Sequence, residues 1–543
     1  MQNTHTLNSV RDIFLSHMKD NETYPHVIVP SAPIIPENDP TTLFTGSGMQ
    51  PMVPYLLGEA HPMGMRIADS QKCFRSQDIE EVGDNRHTTF FEMLGNWSLG
   101  DYFKDEQIDM MWDFLVHKIN MDPRRLYMSV YRGNESLAIS RDEVAIAKWQ
   151  EKFREYGATH DVSEFSDVQV GMNPEEEGMV VGQRIFAYND EKNWWSRSGI
   201  PANMPVGEPG GPDTEMFYDF DPLSNPSDIT SHILNIHANS VYKNEVCHIN
   251  CDCGRFVEFG NNVFMQYKKT QQGVEELTQK NVDFGGGLER IVATLSNDAD
   301  IFNIDVFAKA KEVLENISNT KYVSDLAVTF TDTLSPTFAY RVILDHIRAA
   351  TFLIGDGVLP GSKDQNYFVR RLIRRAVRYA RNLNIHDNFT KQVAQTFVNY
   401  YADVYTNLKE NEDKILEELD KEETKFRKTL ENGMKKLNKI IDSVSVSTVT
   451  DPSQVVSSKV LFDLYQNDGF PFELSIEELK NSTVLKNFIL HFSDFYTKIE
   501  EGFDNLKMLM QSPVEVLQLG SSRGVSEMTA SLRLSCTVQR TYC

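Results

Sequence analysis

The 543-residue sequence contains few cysteines, fewer basic than acidic residues and no long apolar run. Six cysteines in a chain of this length are typical of a reducing compartment rather than of a disulfide-stabilised secreted protein. No run approaches the roughly 18 apolar residues of a membrane-spanning helix. The first residues also lack a charged segment followed by an apolar one. We therefore expect a cytoplasmic protein without a membrane partner.

Acidic residues outnumber basic ones, 78 to 54, which gives a formal net charge of −24. This charge excludes a general nucleic-acid binder, because phosphate contacts need clustered lysine and arginine. Any RNA site must therefore be local. The length indicates roughly two to four domains, and the sequence contains no internal repeat. Composition alone also leaves a partner other than nucleic acid open.

The segment Gln71–Lys104 contains two strand-like runs joined by an acidic turn, a pattern that predicts a β-hairpin. Period 2 along the returning strand places four side chains on one face: His87, Thr89, Phe91 and Met93. Polar and charged residues alternate here with phenylalanine and methionine. The hairpin is therefore either the wet floor of a ligand pocket or a solvated sheet edge, and we favour the pocket floor.

Two later segments combine a strand pattern with polar or glycine-rich features. Residues 257–267 predict a strand on which Asn261, Val263 and Met265 share one face. The amide of Asn261 is either a buried group whose hydrogen bonds are made within the protein or a group that binds a substrate. Residues 282–295 run from a strand through three glycines into a helix. Such a junction can hold an anion on its free N–H groups, although a glycine-rich turn alone is a weak signal.

Two small-residue segments, Leu43–Met49 and Gly207–Asp219, are predicted to be shaped loops. Each is compatible with a plain connector and with a ligand contact.

A short cluster of thiols and imidazole comprises Cys247, His248, Cys251 and Cys253. These residue types suit Zn²⁺, but structural zinc sites usually draw two pairs of ligands from separate places in the chain. Four ligands within seven residues can hardly surround one ion. Both a zinc site and a reduced thiol cluster remain open, and we favour the thiol cluster.

Residues 366–382 contain six arginines and no acid. On a helix the arginines share one side, and the apolar residues take the other. This face is either a phosphate contact or merely solvated, and we favour phosphate. The arginines are Arg370, Arg371, Arg374, Arg375, Arg378 and Arg381. Residues 409–442 predict a charge-rich helical hairpin or arm, and residues 443–458 a linker.

The predicted hairpin, which ends in HTTFFEMLGNWSLGDYFK, resembles motif 2 of class II aminoacyl-tRNA synthetases, and specifically the alanyl-tRNA synthetase family. Further segments match in order, among them GPDTEMFYD, VEFGNNVFMQY and VDFGGGLERI, the last being similar to motif 3. The resemblance implies an α+β fold. A class II catalytic domain with an antiparallel sheet flanked by helices would span residues 1–296. An all-helical tRNA-recognition domain would follow at 297–480, and a linker with an atypical, disordered tail at 481–543.

The resemblance also implies roles for individual residues. The implied alanine-binding residues are Arg75, Met93, Asn261, Val263, Asp283 and Gly285. The implied ATP-binding residues are Arg75, His87, Phe90, Phe91, Glu92 and Arg290, with Phe90 or Phe91 stacking on adenine. Arg75 and Arg290 are the implied catalytic residues, and Glu215 and Glu258 the implied Mg²⁺ ligands. One departure from the family is the short, acidic tip Ser76–Glu81, which reshapes the part of the hairpin that usually touches ATP or the tRNA end.

The implied function is activation of L-alanine with ATP and its transfer to tRNA(Ala) by a monomer. A ligase with another acceptor and a non-catalytic RNA-binding relative remain as alternatives. The residues implied to contact tRNA are Ser362, Arg370, Arg371, Arg374, Arg375, Arg378 and Gln466. Ser362 and Gln466 stand where the family has Asn and Asp reading the acceptor-stem G·U pair. We therefore expect a relaxed or altered dependence on that pair.

The C-terminal part departs furthest from the family. Family members carry an editing domain with a His-x-x-x-His metal motif, whereas the last histidine here is His491. We therefore expect no editing in cis. The final residues, 535–543, read SCTVQRTYC, and one codon series for them encodes a histidine pair in another reading frame. We expect a frame-shifted, disordered tail, with a native short tail or an unrelated extension as the alternatives.

Overall fold

A computed structural model describes residues 5–37, 42–222, 234–446 and 457–481 of the chain. The chain divides into two compact units, residues 1–420 and 421–543. The domain boundaries expected at residues 296 and 480 stay predictions. The tail, with its expected frame shift and disorder, lies outside the described residues.

The first unit is built on a mixed sheet that contains ten strands in the described part of the chain. The strands are β1 Val27–Ile28, β2 Arg66–Phe74, β3 Phe90–Leu99, β4 Leu126–Tyr131, β5 Gln169–Gly171, β6 Gln183–Tyr188, β7 Trp194–Ser196, β8 Pro209–Asp219, β9 Phe256–Thr270 and β10 Gly273–Gly287. Their order is β1-β2-β3-β10-β9-β8-β4-β6-β5, and β7 pairs with β8. The strands from β2 to β4 in this order are antiparallel, as predicted, whereas β1, β5 and β6 form parallel pairs.

Helices cover the sheet and form most of the chain after β10. They are α1 Leu7–Lys19, α2 Met49–Leu56, α3 Lys104–Trp112, α4 Glu143–His160, α5 Pro174–Glu177, α6 Asp190–Asn193, α7 Ile236–Asn239, α8 Leu288–Ser296, α9 Asp305–Ser318, α10 Pro336–Gly355, α11 Asp364–Ala380, α12 Thr390–Tyr401, α13 Thr406–Glu410, α14 Glu412–Val446, α15 Ser458–Asp468 and α16 Phe472–Asn481. None of the described helices combines the length and apolarity needed to cross a membrane.

The predicted hairpin is confirmed: β2 and β3 pair in register from Arg66 and Ser98 to Phe74 and Phe90. The predicted junction of strand, glycines and helix is also present, as β10 followed directly by α8. Of the two forms expected at residues 409–442, the helical hairpin is wrong, because α14 is one continuous helix of 35 residues.

The segment Gly207–Asp219 is predicted from its glycines and prolines to be a shaped loop that leads into a strand. The strand is confirmed, whereas the loop is wrong from Pro209 onward. Strand β8 already begins at Pro209. Glycine is what permits this, because a Cβ on Gly211 would lie 1.9 Å from the backbone oxygen of Phe264 in β9. The glycines therefore bring two strands close together rather than shape a loop.

Candidate active site

Five strands build one face of the sheet, and cross-strand pairing sets which side chains share it. Asp69 pairs with Gly95, Gly95 with Gly285, Gly285 with Asn261 and Asn261 with Glu215. Directly paired residues in an antiparallel sheet project to the same side. One row across the five strands therefore carries the carboxyl groups of Asp69 and Glu215 at its two ends and the amide of Asn261 beside Glu215. The two positions between Asp69 and Asn261 are glycines.

The neighbouring row on the same face brings Trp97, Asp283, Val263 and Asp213 together in the same way. The indole Nε1–H of Trp97 donates a hydrogen bond to Asp283. Burial raises the pKa of Asp283 to about 7 and the pKa of Asp213 to about 7. The two carboxyls thus sit where ionisation is costly unless a cation arrives.

Asp69 is a site residue that the sequence patterns did not single out. Burial and the nearby charge of Asp283 raise its pKa well above the ordinary value. Its Oδ1 is buried without a hydrogen-bond partner among the described residues, and so is Oδ1 of Asn261. Buried acceptors rarely lack a donor, which makes this face the candidate ligand site. Strand alternation places Asp69 on the same face as Gln71 and Cys73, but it does not show which strands lie beside that face.

Met93 lies next to the two rows. The backbone N–H of Gly48 contacts its Sδ at 3.2 Å. A Cβ on Gly285 would lie 2.8 Å from the same sulfur, and a Cβ on Gly95 would lie 2.2 Å from the Trp97 ring. The two glycines therefore let the Met93 thioether and the Trp97 ring pack directly against the backbone of the sheet.

Two arginines border this face. The Arg75 guanidinium lies 5.0 Å from the centre of the Phe91 ring, and its Nε donates to the carbonyl oxygen of Gly46 at 3.0 Å. Arg290 donates from Nη1 to the carbonyl oxygen of Glu258 at 2.8 Å, and about a third of its side chain is exposed. Gly46 belongs to the small-residue segment Leu43–Met49, which therefore contacts the site residues and is more than a connector.

Two of the expected ATP-binding residues point away from this face, and both expectations are corrected. The Phe90 ring is fully buried and stacks on Phe352 at 3.9 Å between ring centres. The Glu92 carboxylate is fully buried and accepts hydrogen bonds from Arg11 at 2.6 and 2.7 Å and from Tyr405 at 2.7 Å. Strand alternation explains both, because Phe90 and Glu92 lie opposite to Phe91 and Met93.

His87 is half-buried just before this strand and is held by acids of the hairpin tip. Its Nδ1 lies 2.6 Å from Asp84, and Nε2 lies 3.6 Å from Glu81. The ring is therefore oriented by the protein itself.

The carboxylates expected to bind Mg²⁺ lie close enough to influence each other. Burial, and then the charges of Glu258 and Asp213, raise the pKa of Glu215 well above its ordinary value. The Ser129 hydroxyl donates to Glu215 at 2.9 Å. A group of mutually repelling carboxylate oxygens is a donor set that Mg²⁺ accepts, so these residues fit the ion.

A family model described as tRNA synthetases class II (A) matches residues 9–501 of the chain. The chain belongs to this family. The antiparallel centre of the sheet, the β2–β3 hairpin and the junction of β10 with α8 are therefore the class II catalytic fold.

Three curated relatives carry the name Alanine--tRNA ligase. The protein of Treponema pallidum (strain Nichols) is 36% identical over 468 residues, which cover 85% of this chain and 66% of the relative. That of Treponema denticola is 37% identical over 503 residues, covering 91% and 72%. That of Borreliella afzelii is 35% identical over 479 residues, covering 87% and 68%. This class II synthetase chain thus spans about two thirds of the length of those relatives.

The basic face of α11 in this class II synthetase makes contacts within the protein. Arg371 and Arg375 form ion pairs with Glu80 at the tip of the hairpin. Arg375 also contacts His346 at 2.8 Å. These two arginines therefore connect the helix to the hairpin, and the phosphate contact expected of the basic face stays a prediction. Ser362 and Gln466 are exposed.

The cysteine and histidine cluster also differs from the predicted set. His248 lies outside it, since its Nδ1 is 2.9 Å from the hydroxyl of Tyr188. His237 takes its place beside Cys247, Cys251 and Cys253. The sequence could not reveal this exchange, because His237 lies ten residues before the first cysteine and in a different element.

Proposed function

We propose that the chain is an alanine--tRNA ligase, which activates L-alanine with ATP and transfers it to a tRNA. The family and the names of the curated relatives support the reaction class. The observation that carries the proposal is the set of buried acceptors on one face of the sheet: Asp69 and Asn261 each have an oxygen without a hydrogen-bond donor among the described residues, and Asp283 is buried beside them. Met93 packs closely over Gly285 next to these acceptors, so a small side chain suits this position better than a large one.

In this proposal the amino acid lies along the two rows of the sheet face. Its ammonium group pairs with Asp283, supported by Asp69, because a cation removes the cost of ionising a buried carboxylate. The methyl group lies against Met93 and Val263, above Gly285. The carboxylate faces Arg75, whose planar guanidinium can donate two parallel hydrogen bonds.

Activation needs positioning and charge stabilisation rather than a protein nucleophile. A carboxylate oxygen of alanine attacks the α-phosphorus of ATP, and the bond from that phosphorus to pyrophosphate breaks. Arg75 and Arg290 stabilise the charge that develops on the phosphoryl oxygens. The adenine ring of ATP stacks on the ring of Phe91. Glu215 and Glu258 would hold Mg²⁺, which neutralises polyphosphate charge when bound.

Transfer completes the reaction. A hydroxyl of the terminal ribose of the tRNA attacks the carbonyl carbon of the mixed anhydride, and AMP leaves. The proposed tRNA contacts are Ser362, Gln466 and the arginines Arg370, Arg371, Arg374, Arg375 and Arg378. Because serine and glutamine replace the asparagine and aspartate of the family pattern, we expect a changed preference at the acceptor-stem G·U pair.

Alanine-dependent exchange of pyrophosphate into ATP tests the first step without tRNA. We expect exchange with alanine, and a strongly reduced exchange when Asp283 is replaced by asparagine. A surface variant, Glu312→Gln, serves as the control, since Glu312 is exposed and pairs with Lys309 at the surface. Absence of alanine-dependent exchange in a folded protein with ATP and Mg²⁺ would refute ligase activity.

A further inference from the structure

Four side chains outside the candidate active site bring metal-binding atoms together. They are His237, Cys247, Cys251 and Cys253, and their ligand atoms all lie within 4.8 Å of one another. His237 comes from the short helix α7, and the three cysteines come from the segment that precedes β9. The ligands thus arrive from two separate places in the chain, as in most structural zinc sites.

The size of the cluster suits a tetrahedral ion. With Zn–S bonds of about 2.3 Å, two sulfurs of a tetrahedral site are separated by about 3.8 Å. Cys251 Sγ lies 3.8 Å from His237 Nδ1. The three cysteines are free thiols, whereas a disulfide would hold two sulfurs at about 2.0 Å. Three sulfurs and one imidazole are a donor set that selects Zn²⁺ over Mg²⁺.

The backbone around the cluster holds the ligands in place. The Asp221 carboxylate accepts hydrogen bonds from the N–H groups of Leu234 and Ile236, which fixes the segment that bears His237. Gly254, directly after Cys253, has a φ of +84°, which favours glycine and lets the chain turn sharply. The backbone N–H of Arg255 then points at Cys253 Sγ, 3.5 Å away.

The local charge also fits a bound metal. Three thiolates with one Zn²⁺ leave one negative charge. Nη1 of Arg255 lies 3.9 Å from Cys247 Sγ, while its Nε and Nη2 donate to Asp219 at 3.0 and 2.9 Å. Interactions of this kind around the ligands orient them and strengthen metal binding.

We propose that His237, Cys247, Cys251 and Cys253 bind one structural zinc ion. The site lies at the beginning of strand β9, which carries Glu258 and Asn261 into the candidate active site. It also contacts the hairpin, because Arg86 donates to the carbonyl oxygen of Asp252 at 2.8 Å. The ion fixes both segments and takes no part in the chemistry.

Metal content and cobalt spectroscopy of the full chain test this proposal. Purified from zinc-supplemented medium, the protein is expected to contain one zinc per chain. Replacing the ion with Co²⁺ is expected to give thiolate-to-cobalt absorption and the visible bands of a tetrahedral site. Cys251→Ala should lower zinc affinity by more than the roughly 10- to 100-fold typical of changes outside the ligand set.

Two variants separate loss of the ligand from loss of the fold. His248→Gln, which changes the neighbouring histidine, is expected to retain zinc. His237→Cys keeps four ligands and is expected to retain the metal while altering the cobalt spectrum. Replacing Cys536 and Cys543 by serine excludes binding by the tail and is expected to leave one zinc. A folded wild-type chain without zinc, without cobalt absorption or with a disulfide between these cysteines overturns the proposal.

Discussion

The two faces of strand β3 differ in whether their buried carboxyl groups have cationic partners. On one side Glu92 is completely buried and accepts hydrogen bonds from Arg11, Tyr405 and Ser70. On the other side Asp283 is buried and accepts a hydrogen bond from a neutral indole N–H. Asp69 is buried beside it, and its Oδ1 lacks a partner among the described residues. One side of the strand thus faces a carboxylate that is neutralised by an arginine, and the other side faces two carboxyl groups that have no such partner in the described part of the chain. We call these the compensated side and the ligand side.

The difference separates a surface whose buried charge is neutralised within the protein from one whose buried charge is not. Burying an ion costs several kcal/mol unless a partner and hydrogen bonds compensate it. The compensated side meets this condition again at Glu289, which pairs with Arg348 at 2.7 Å. The side that bears Asp283 and Asp69 does not, so either protonation or a bound cation removes the cost there. In the proposed reaction that cation is the ammonium group of alanine.

Breaking the compensated side is expected to have the largest effect. Replacing Glu92 by alanine leaves Arg11 buried without its carboxylate, so the free energy of unfolding should fall by about 3–5 kcal/mol. Urea denaturation followed by circular dichroism measures this. The surface variant Glu312→Ala should change stability by about 1 kcal/mol or less. Similar losses for both variants would contradict the contrast between the two sides.

Replacing Arg75, an arginine beside the candidate active site, should affect catalysis rather than stability. Arg75→Ala is expected to lower the rate of pyrophosphate exchange about 10²- to 10³-fold, because one preorganised donor to the developing charge is lost. The matched control is Arg124→Ala, since Arg124 is exposed and pairs locally with Asp122. If Arg75→Ala lowered the unfolding midpoint as much as Glu92→Ala does, Arg75 would serve the stability of the fold instead of catalysis.

How far the sequence predicts these surfaces depends on the range of the interactions. Period-2 alternation is local, so the amino-acid pattern suffices to place Phe91 and Met93 together on the ligand side. The same alternation leaves the role of the opposite side undecided. Arg11 lies 81 residues from Glu92, and Tyr405 lies 313 residues from it. Neither partner can be inferred from spacing.

The candidate site and the metal cluster show the same limit. Asp283 and Asn261 are found through the family pattern, whereas Asp69 becomes a site residue only through its pairing with Gly95. Likewise, the fold of the chain brings His237 next to the three cysteines. His248 instead forms a hydrogen bond with Tyr188. Long-range pairing decides each of these cases, and no local period encodes it.

The pH dependence of stability should distinguish the two sides next. The pKa of Asp283 is raised from 3.8 to about 7, so the folded state binds this proton more tightly than the unfolded state. In the ligand-free protein its contribution should therefore fall by about 1.4 kcal/mol per pH unit as pH rises from 4 to 7. Asp283→Asn removes this contribution and leaves that of Asp213, whose pKa burial also raises to about 7. Asp167→Asn, a change at an exposed position, should leave the whole slope unchanged.

Binding of alanine should show the opposite trend, because its ammonium group pairs with the ionised carboxylate. Alanine affinity measured by calorimetry is expected to increase as pH rises through about 7 and then to level off. Affinity that is independent of pH in the wild type would mean that Asp283 does not contact the ammonium group.

The smallest expected effect concerns Gly285 of β10, over which the methyl group of alanine is proposed to lie. A Cβ on Gly285 would lie 2.8 Å from Met93 Sδ, and the flexible thioether would shift into the space proposed for the methyl group of alanine. Gly285→Ala is therefore expected to lower kcat/KM for alanine by about tenfold, near the lower end of the effect of one methyl group. Glycine lacks that methyl group and should lose less, so the ratio of kcat/KM values in pyrophosphate exchange measures the effect. Equal losses for alanine and glycine would show that the methyl group lies elsewhere, and a lower unfolding midpoint in this variant would assign Gly285 to packing.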